Sequence, residues 1–328
     1  MTTAAEETAR AVEAPSGKGA ADENFPVGSF LLPRRLRPHV ATFYAFARAI
    51  DDIADDAALP PAEKIRRLKA FDAALNGVPG YGTEFAKAHA LRESMKATGV
   101  ATAHGSDLVA AFVQDCEKLR YHSWDEVVGY CEKSANPVGR YLLDLHGEDK
   151  AGYRYSDALC TVLQIVNHLQ DCADDKRALD RVYVIDAWLA EEGGSVEDID
   201  GDESSPPLRR VIDRMLDGCD ALMIDARRLP FALKSRHLAM ESAVIVRLAD
   251  RLIDLLRKGD PLASRVALKK PDFILAGIAG AVTGFLAPVA RGRILRDAAH
   301  REAPQDEAFP TFKGPHPEER PAAARLEG

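Results

Sequence analysis

The feature that most constrains the fold is a pair of strongly apolar helical patterns that each carry two aspartates four residues apart. Asp51 and Asp55 form the first pair, and Asp171 and Asp175 form the second. Residues at this spacing project from the same face of a helix. Like charges so placed destabilise an isolated helix by roughly 0.2–0.5 kcal/mol. A chain that repeats the arrangement is expected to neutralise these carboxylates with bound cations.

Each acid pair extends a polar stripe along an otherwise apolar helix. Tyr44 and Arg48 precede the first pair on its helix face, and Gln164 and Asn167 precede the second pair in the same way. A solvated helix face is the usual explanation for one acidic motif. Two stripes of the same design instead favour two facing walls of one site.

Carboxylate oxygens are typical ligands of Mg²⁺, which keeps several waters and is often shared with phosphate oxygens. The pattern therefore predicts two acidic walls that hold Mg²⁺ ions against a diphosphate, above an apolar cavity that holds hydrocarbon. Arg48 lies one turn before Asp51 and is placed to contact phosphate oxygens. A structural ion pair with Asp51 or Asp52 is the alternative, and the two roles are compatible.

Composition narrows the class of protein. The chain has 328 residues, 46% of them hydrophobic, and a net charge of −8, so a nucleic-acid partner is not indicated. Its five cysteines form no CxxC motif, which argues against a zinc site and fits a reducing cytoplasm. No Gly-rich GxGxxG motif follows a strand pattern, so no nicotinamide cofactor is expected. The N-terminus has no apolar signal-peptide core.

The pattern along the chain predicts an all-α fold. Strand alternation is lacking, whereas helix boundary signals are frequent. Pro137 falls inside a long helical pattern and is expected to kink it, and Ser123, Ser156 and Ser235 are candidate N-caps. We expect one all-α domain over residues 23–299, between disordered tails at 1–22 and 300–328. The predicted helices after the first acid pair include 82–98, 106–119, 123–146, 156–177, 206–229, 235–258 and 271–298.

The uncharged stretch FILAGIAGAVTGFLAPVA, residues 273–290, has 18 residues and is borderline in length for a membrane span. It also contains three glycines and a proline. A core helix that packs closely through its small residues is the favoured interpretation. A helix that contacts the membrane surface is the alternative, which would place a cytoplasmic protein at the periphery of the inner membrane.

Several segments resemble the squalene/phytoene synthase family of head-to-head prenyl synthases, over about residues 22–298. YAFARAIDDIADD resembles the first aspartate motif of the family, and QIVNHLQDCADD resembles the second. YCEKSANPVGR resembles the kinked helix of the family, and DRVY resembles the Arg-x-Tyr that follows its second motif. ENFPVGSFLLP resembles the N-terminal segment of the family. The resemblance implies a single-domain isoprenoid synthase helical bundle around a central apolar cavity.

The resemblance also implies roles for individual residues. Tyr130 would stabilise a carbocation or handle a proton, although simple packing is an alternative, and His168 is expected to be structural. Asn167 would bind metal or phosphate rather than form a buried hydrogen bond between helices. The implied metal ligands are Asp51, Asp55, Asn167, Asp171 and Asp175, and the implied substrate-binding residues are Phe25, Tyr44, Arg48, Gln164, Asn167, Arg181 and Tyr183.

Within the family, ENFPVGSFLLPRRLRPHVATFYAFAR, SANPVGR and NHLQDCADD resemble the bacterial hydroxysqualene synthase branch of hopanoid pathways. That branch converts presqualene diphosphate and water to hydroxysqualene and diphosphate, which makes it a carbon–oxygen lyase. It also implies functional coupling to a presqualene diphosphate synthase and a hydroxysqualene reductase. Gln170 stands where condensing members of the family carry an arginine, and this departure disfavours binding of a second prenyl diphosphate.

Two alternatives remain open from the sequence. The first is a condensing prenyltransferase of the same fold, which would make presqualene diphosphate or phytoene from two prenyl diphosphates. The second is a non-catalytic scaffold or assembly protein on the same fold. Such a protein need not retain both acid pairs together with Arg48 and Asn167, and this chain retains them all.

Overall fold

The computed structural model describes residues 32–278 and 280–283. Phe25, the predicted tails at 1–22 and 300–328, and the end of the predicted 271–298 helix lie outside the described residues. The domain boundaries therefore stay predictions.

The fold is all-α, as the sequence predicts. Within the described part of the chain, the only β-type pairing is an isolated bridge between Arg120 and Val182. Helical structure also covers residues 270–278 and 280–283, which we call the C-terminal helical segment. The α-helices are α1 (Arg37–Asp55), α2 (Pro61–Leu75), α3 (Ala86–Thr98), α4 (Ala103–Asp115), α5 (Trp124–Ser134), α6 (Asn136–Leu145), α7 (Tyr153–Gln170), α8 (Cys172–Leu179), α9 (Asp186–Glu191), α10 (Pro206–Ala226), α11 (Leu229–Ala232) and α12 (Arg236–Lys258).

Helix α7 lies at the centre of the bundle. It packs against α5, α6, α10 and α12, while α1 packs against α2, α3 and α4. Helix α4 joins the two groups because it also contacts α5 and α6. Val162, Ile165, Val166 and Leu169 give α7 a fully buried face. The polar stripes of α1 and α7 therefore belong to helices fixed by their apolar faces.

Local boundary signals explain most helix ends. The long pattern around Pro137 is two helices, α5 and α6, that meet at Ala135, so the predicted kink is a break. Ser123 caps α5 by accepting a hydrogen bond from the Glu126 amide at 3.2 Å, and Ser235 caps α12. The N-cap predicted at Ser156 is wrong, because α7 begins three residues earlier and Ser156 is buried within it.

The predicted continuous helix 156–177 is also interrupted. Helix α7 ends at Gln170 and α8 begins at Cys172, with Asp171 between them at φ −103° and ψ 10°. Asp174 and Asp175 thereby occupy the first turn of α8. Acidic side chains are stabilised at a helix N-terminus by the helix dipole, which gives a physical reason for a new helix to start here.

The C-terminal helical segment packs on α12 through small residues. Ala276 is buried, and a Cβ atom added to Gly280 would clash with Val244. Its other face is apolar and exposed, since Ile274 and Leu275 are 64% and 66% accessible. None of the described helices has the length and hydropathy needed to cross a bilayer.

Candidate active site

A cavity of about 560 Å³ separates α1 from α7 and is also lined by residues of α4, α5, α6 and α12. Every predicted site residue that the structure describes contributes to its wall. These residues are Tyr44, Arg48, Asp51, Asp55, Tyr130, Gln164, Asn167, Asp171, Asp175, Arg181 and Tyr183. The two acidic motifs, more than a hundred residues apart in sequence, therefore border one space, although the chemical role of each residue stays a prediction.

The cavity is polar at one end and apolar at the other. On α1, the lining residues change from Val40 and Phe43 to Asp51 and Asp55 toward the C-terminus. On α7, they change in the same direction, from apolar side chains such as Leu159 to polar ones. Leu238 and Ile245 of α12 add to this mainly apolar wall, together with the polar side chains of Glu241 and Ser242.

Arg181 joins the polar ends of the two acidic helices. Its guanidinium Nη1 donates to Asp55 Oδ1 at 2.8 Å, while its backbone amide donates to the carbonyl of Asp175 at 3.3 Å. Its Nη2 also donates to the carbonyl of Ala54 at 3.0 Å. One buried arginine, 7% exposed, thus fixes the distance between the two acid pairs.

Arginines neutralise the first acid pair. Arg48 Nη1 donates to Asp51 Oδ2 at 2.6 Å, and Arg48 Nη2 lies 3.5 Å from Asp52 Oδ1. Asp55 receives the hydrogen bond from Arg181. The ion pair expected as an alternative for Arg48 is therefore present, on a residue that also faces the cavity.

Among the described residues, arginine ion pairs neutralise the second acid pair less than the first. Partial burial, followed by the charge of Asp175, raises the pKa of Asp171. The charge of Arg265 opposes that rise, and the His168 imidazole lies beside the pair, with its Nδ1 3.7 Å from Asp175 Oδ2. Asp171 and Arg265 are solvent-exposed and line the cavity, so this end is open to water.

Asp115 lies behind the polar end and was not predicted from the sequence. It is the last residue of α4, is 2% exposed, and accepts hydrogen bonds from Tyr130 at 2.8 Å and Tyr183 at 3.0 Å. Burial raises its pKa, against the lowering effects of Arg181 and the two tyrosines. A lone acid after an apolar helix face is usually solvated, so the sequence gives no signal for this contact.

His168 was expected to be structural, on a different helix face from the polar stripe. It nevertheless lines the cavity, stacked on the Tyr183 ring with centroids 3.5 Å apart. The amide nitrogen of Gln164 lies 3.1 Å from its Nε2. Helical spacing missed His168 because α7 borders the cavity over a wider arc than one stripe.

Gln170 points away from the polar stripe toward the chain segment after α12. Its side-chain nitrogen donates to the carbonyl of Val266 at 2.6 Å. Because Val266 follows Arg265, this bond ties the end of α7 to the segment that brings Arg265 to the cavity.

The side chains at the polar end fit Mg²⁺. Four aspartates and the Asn167 amide supply hard oxygen donors around one space, and partial burial, followed by the charge of Asp175, raises the pKa of Asp171. Within residues 32–278 and 280–283, no three His, Cys, Asp or Glu side chains converge into a complete ligand set. Mg²⁺ usually completes its coordination with waters and substrate phosphates rather than with an all-protein cage.

Comparisons with known proteins agree with this architecture. The chain is 42% identical over 266 residues to the hydroxysqualene synthase of Rhodopseudomonas palustris, which covers 81% of this chain and 90% of that protein. It is 39% identical over 272 residues to the hydroxysqualene synthase of Sinorhizobium fredii, with 83% and 92% covered.

Solved structures and a family model extend the comparison. The crystal structure of squalene synthase HpnC from Alicyclobacillus acidocaldarius matches with a TM-score of 0.63 and 30% identity, over 77% of this chain and 92% of that one. A dehydrosqualene synthase, at 16% identity and a TM-score of 0.63, shares the fold. The squalene/phytoene synthase family model matches residues 19–272. This chain belongs to the squalene/phytoene synthase family.

Proposed function

We propose that the protein ionises presqualene diphosphate in a Mg²⁺-dependent reaction and captures the rearranged cation with water, giving hydroxysqualene and diphosphate. The observation that carries the proposal is the single cavity with acids at one end and an apolar wall at the other. Relatives at 39–42% identity are named hydroxysqualene synthases. The reaction is that of a carbon–oxygen lyase acting on a phosphate.

The apolar wall would hold the hydrocarbon of the substrate. Each buried CH₂ group contributes roughly 0.8 kcal/mol, so prenyl chains bind there without specific polar contacts. Binding in this way aims the diphosphate toward the acids and Arg48. The aromatic faces of Tyr130, Tyr183 and His168 border the same cavity and would stabilise positive charge as it develops.

Asp51, Asp55, Asn167, Asp171 and Asp175 would hold the metal ions. Bound Mg²⁺ supplies positive charge that stabilises the departing diphosphate. Arg48 would donate to phosphate oxygens, and its pairing with Asp51 keeps the guanidinium at the polar end of the cavity. Arg181 would hold Asp55 in place and add positive charge.

The decisive experiment is turnover of purified protein on presqualene diphosphate with Mg²⁺, in water labelled with oxygen-18. We expect diphosphate release and a triterpene alcohol that contains the label, and loss of both when EDTA is added. Product from farnesyl diphosphate alone would instead identify a condensing prenyltransferase.

Asp171→Asn tests the metal-binding wall, with Asp174→Asn as its matched control. Asp174 is three residues from Asp171, and its side chain is 79% exposed. In the described part of the chain, it forms an ion pair with the exposed Arg177. We expect Asp171→Asn to lower kcat/KM at least about a hundredfold, the scale for a lost electrostatic contact in an active site. An Asp171→Asn variant that still supports triterpene production in cells would favour the scaffold alternative.

We also propose that the protein contacts the surface of the inner membrane through its C-terminal helical segment. Phe273, Ile274, Leu275, Ile278 and Val282 are exposed there, and Lys269 and Lys270 adjoin them. An apolar face flanked by lysines suits an anionic bilayer, which would also supply a lipid substrate. Co-flotation with anionic vesicles should be reduced by Ile274→Ser/Leu275→Ser, and flotation unaffected by that change would contradict this contact.

A further inference from the structure

Asp115, Tyr130 and Tyr183 form a buried cluster whose side chains bond to one another. The two tyrosine hydroxyls bond to different oxygens of one carboxylate, Tyr130 to Oδ2 at 2.8 Å and Tyr183 to Oδ1 at 3.0 Å. The hydroxyls themselves lie 3.4 Å apart. All three residues line the cavity. The cluster therefore connects the reaction space to a carboxylate through two phenol groups.

The contacts of Asp115 are unlike those of an ordinary buried ion pair. Arg181, the nearest cation, directs Nη1 to Asp55 and Nε to the backbone carbonyl of Asp115, at 3.2 Å. The carboxylate oxygens are bonded instead by phenols, which can both donate and accept a proton. Because burial raises the pKa of Asp115, its carboxylate is a better proton acceptor than a solvated aspartate.

Water capture creates a need for such an acceptor. When water adds to a carbocation, a C–O bond forms, and one O–H bond of that water must break to leave a neutral alcohol. A general base within hydrogen-bond reach accelerates such steps by roughly 10²–10⁴-fold. Asp51 and Asp55 are paired with arginines, whereas the Asp115 carboxylate is bonded to phenols that line the same cavity.

We propose that Asp115 is the terminal proton acceptor for water capture and acts through the hydroxyls of Tyr130 and Tyr183. The capturing water gives a proton to a tyrosine oxygen as that tyrosine passes its own proton to Asp115. The products are the alcohol and a protonated Asp115, and no oxidant or reductant is needed. After product release, the proton returns through the same tyrosine to water that enters the cavity. This inference rests on the proposed function.

The test measures how the products partition. In Asp115→Asn, we expect the alcohol's share of total hydrocarbon product to fall at least about tenfold, in favour of elimination products, as lost base catalysis predicts. Asp157→Asn is the matched control, because Asp157 is also a buried helix carboxylate, paired with Arg140 away from the cavity. The share of alcohol should be unchanged in that variant.

A second variant keeps the test valid if Asp115→Asn fails to fold, as judged by circular dichroism. Tyr130→Phe/Tyr183→Phe keeps the carboxylate and both aromatic faces while removing the relay, and should also lower the alcohol share. Replacing water with D₂O should reduce the alcohol's share of the products of the wild type. It should not change that share in either variant.

An unchanged alcohol share in the folded variants would overturn the proton role and point to diphosphate as the base. An equal fall in Asp157→Asn would also overturn it. Failure of the proposed function looks different, since the wild type would then release no diphosphate from presqualene diphosphate.

Discussion

The Arg181 guanidinium donates to the Asp55 carboxylate at 2.8 Å across 126 residues of sequence. Because the Arg181 amide bonds to the Asp175 carbonyl, one residue holds both acidic motifs at the same end of the cavity. The facing arrangement of the two acid walls therefore depends on a contact that neither motif contains.

Replacing Arg181 with methionine should destabilise the protein. The change leaves Asp55 without its cation and removes hydrogen bonds to two backbone carbonyls, at Ala54 and Asp115. Breaking a buried pair by removing one partner typically costs about 3–5 kcal/mol. Urea denaturation should show a loss of at least about 2 kcal/mol in the free energy of unfolding, because Asp55 retains some contact with water.

Arg177→Met is the matched control for that experiment. Arg177 forms an ion pair with Asp174, and the two side chains are 75% and 79% exposed. Exposed pairs of this kind contribute roughly 0–1 kcal/mol to stability. Equal losses from the two variants would show that Arg181 has no special structural role.

Asp171→Asn should stabilise the metal-free protein while it lowers activity. The pKa of Asp171 is raised in the folded state, so the ionised carboxylate opposes folding at neutral pH. That penalty disappears as the pH falls below the pKa that Asp171 has in the unfolded chain. In EDTA at pH 7 we expect a gain of at most about 0.5 kcal/mol, because the side chain is open to water. Thermal unfolding should show the gain shrinking toward pH 4, and a loss of stability at pH 7 would contradict the argument.

Gly218 and Gly129 make a matched pair for packing. A Cβ atom on Gly218 of α10 would run into the Trp124 ring, which is stacked on Trp188 with an interplanar angle of 3°. Gly218→Ala should therefore cost about 1–3 kcal/mol as overpacking. Nothing lies within 4 Å of a Cβ on Gly129 in α5, so Gly129→Ala should stabilise by up to about 1 kcal/mol. Chemical denaturation gives the free energy of unfolding of both variants, and equal changes would refute the packing argument.

Gln170→Met should loosen the segment that carries Arg265. The substitution keeps the side-chain length but removes the hydrogen bond to the Val266 carbonyl. Hydrogen exchange of the amides in residues 262–268 should become faster, while exchange in α7 stays slow because Ile165, Val166 and Leu169 are fully buried. Unchanged exchange at 262–268 would mean that the hydrophobic contacts of Leu262 and Leu268 suffice to hold the segment.

The parts of the fold that sequence patterns predicted are those with local causes. The apolar faces of α1 and α7 follow from helical spacing, and the caps at Ser123 and Ser235 follow from side-chain chemistry. The acid pairs line one cavity because both continue stripes on helices whose other faces are buried.

The parts that patterns missed depend on contacts between distant segments. Asp115 joins the site only because Tyr130 and Tyr183 converge on it from α5 and from the segment after α8. Arg265 reaches the cavity because Gln170 holds the segment beside it, 96 residues away in sequence. Periodicity also does not predict the helix boundary at Asp171, because the polar stripe continues across it with the same spacing.

The boundary at Asp171 makes the two acidic surfaces mechanically unequal. Asp51 and Asp55 lie on one unbroken helix, whereas Asp171 is itself the joint between two helices and Asp175 lies in the first turn of the second. Bending is easiest where the regular hydrogen-bond ladder is interrupted. The first surface is therefore rigid, whereas the second has a point at which its two aspartates can shift relative to each other without bending α7.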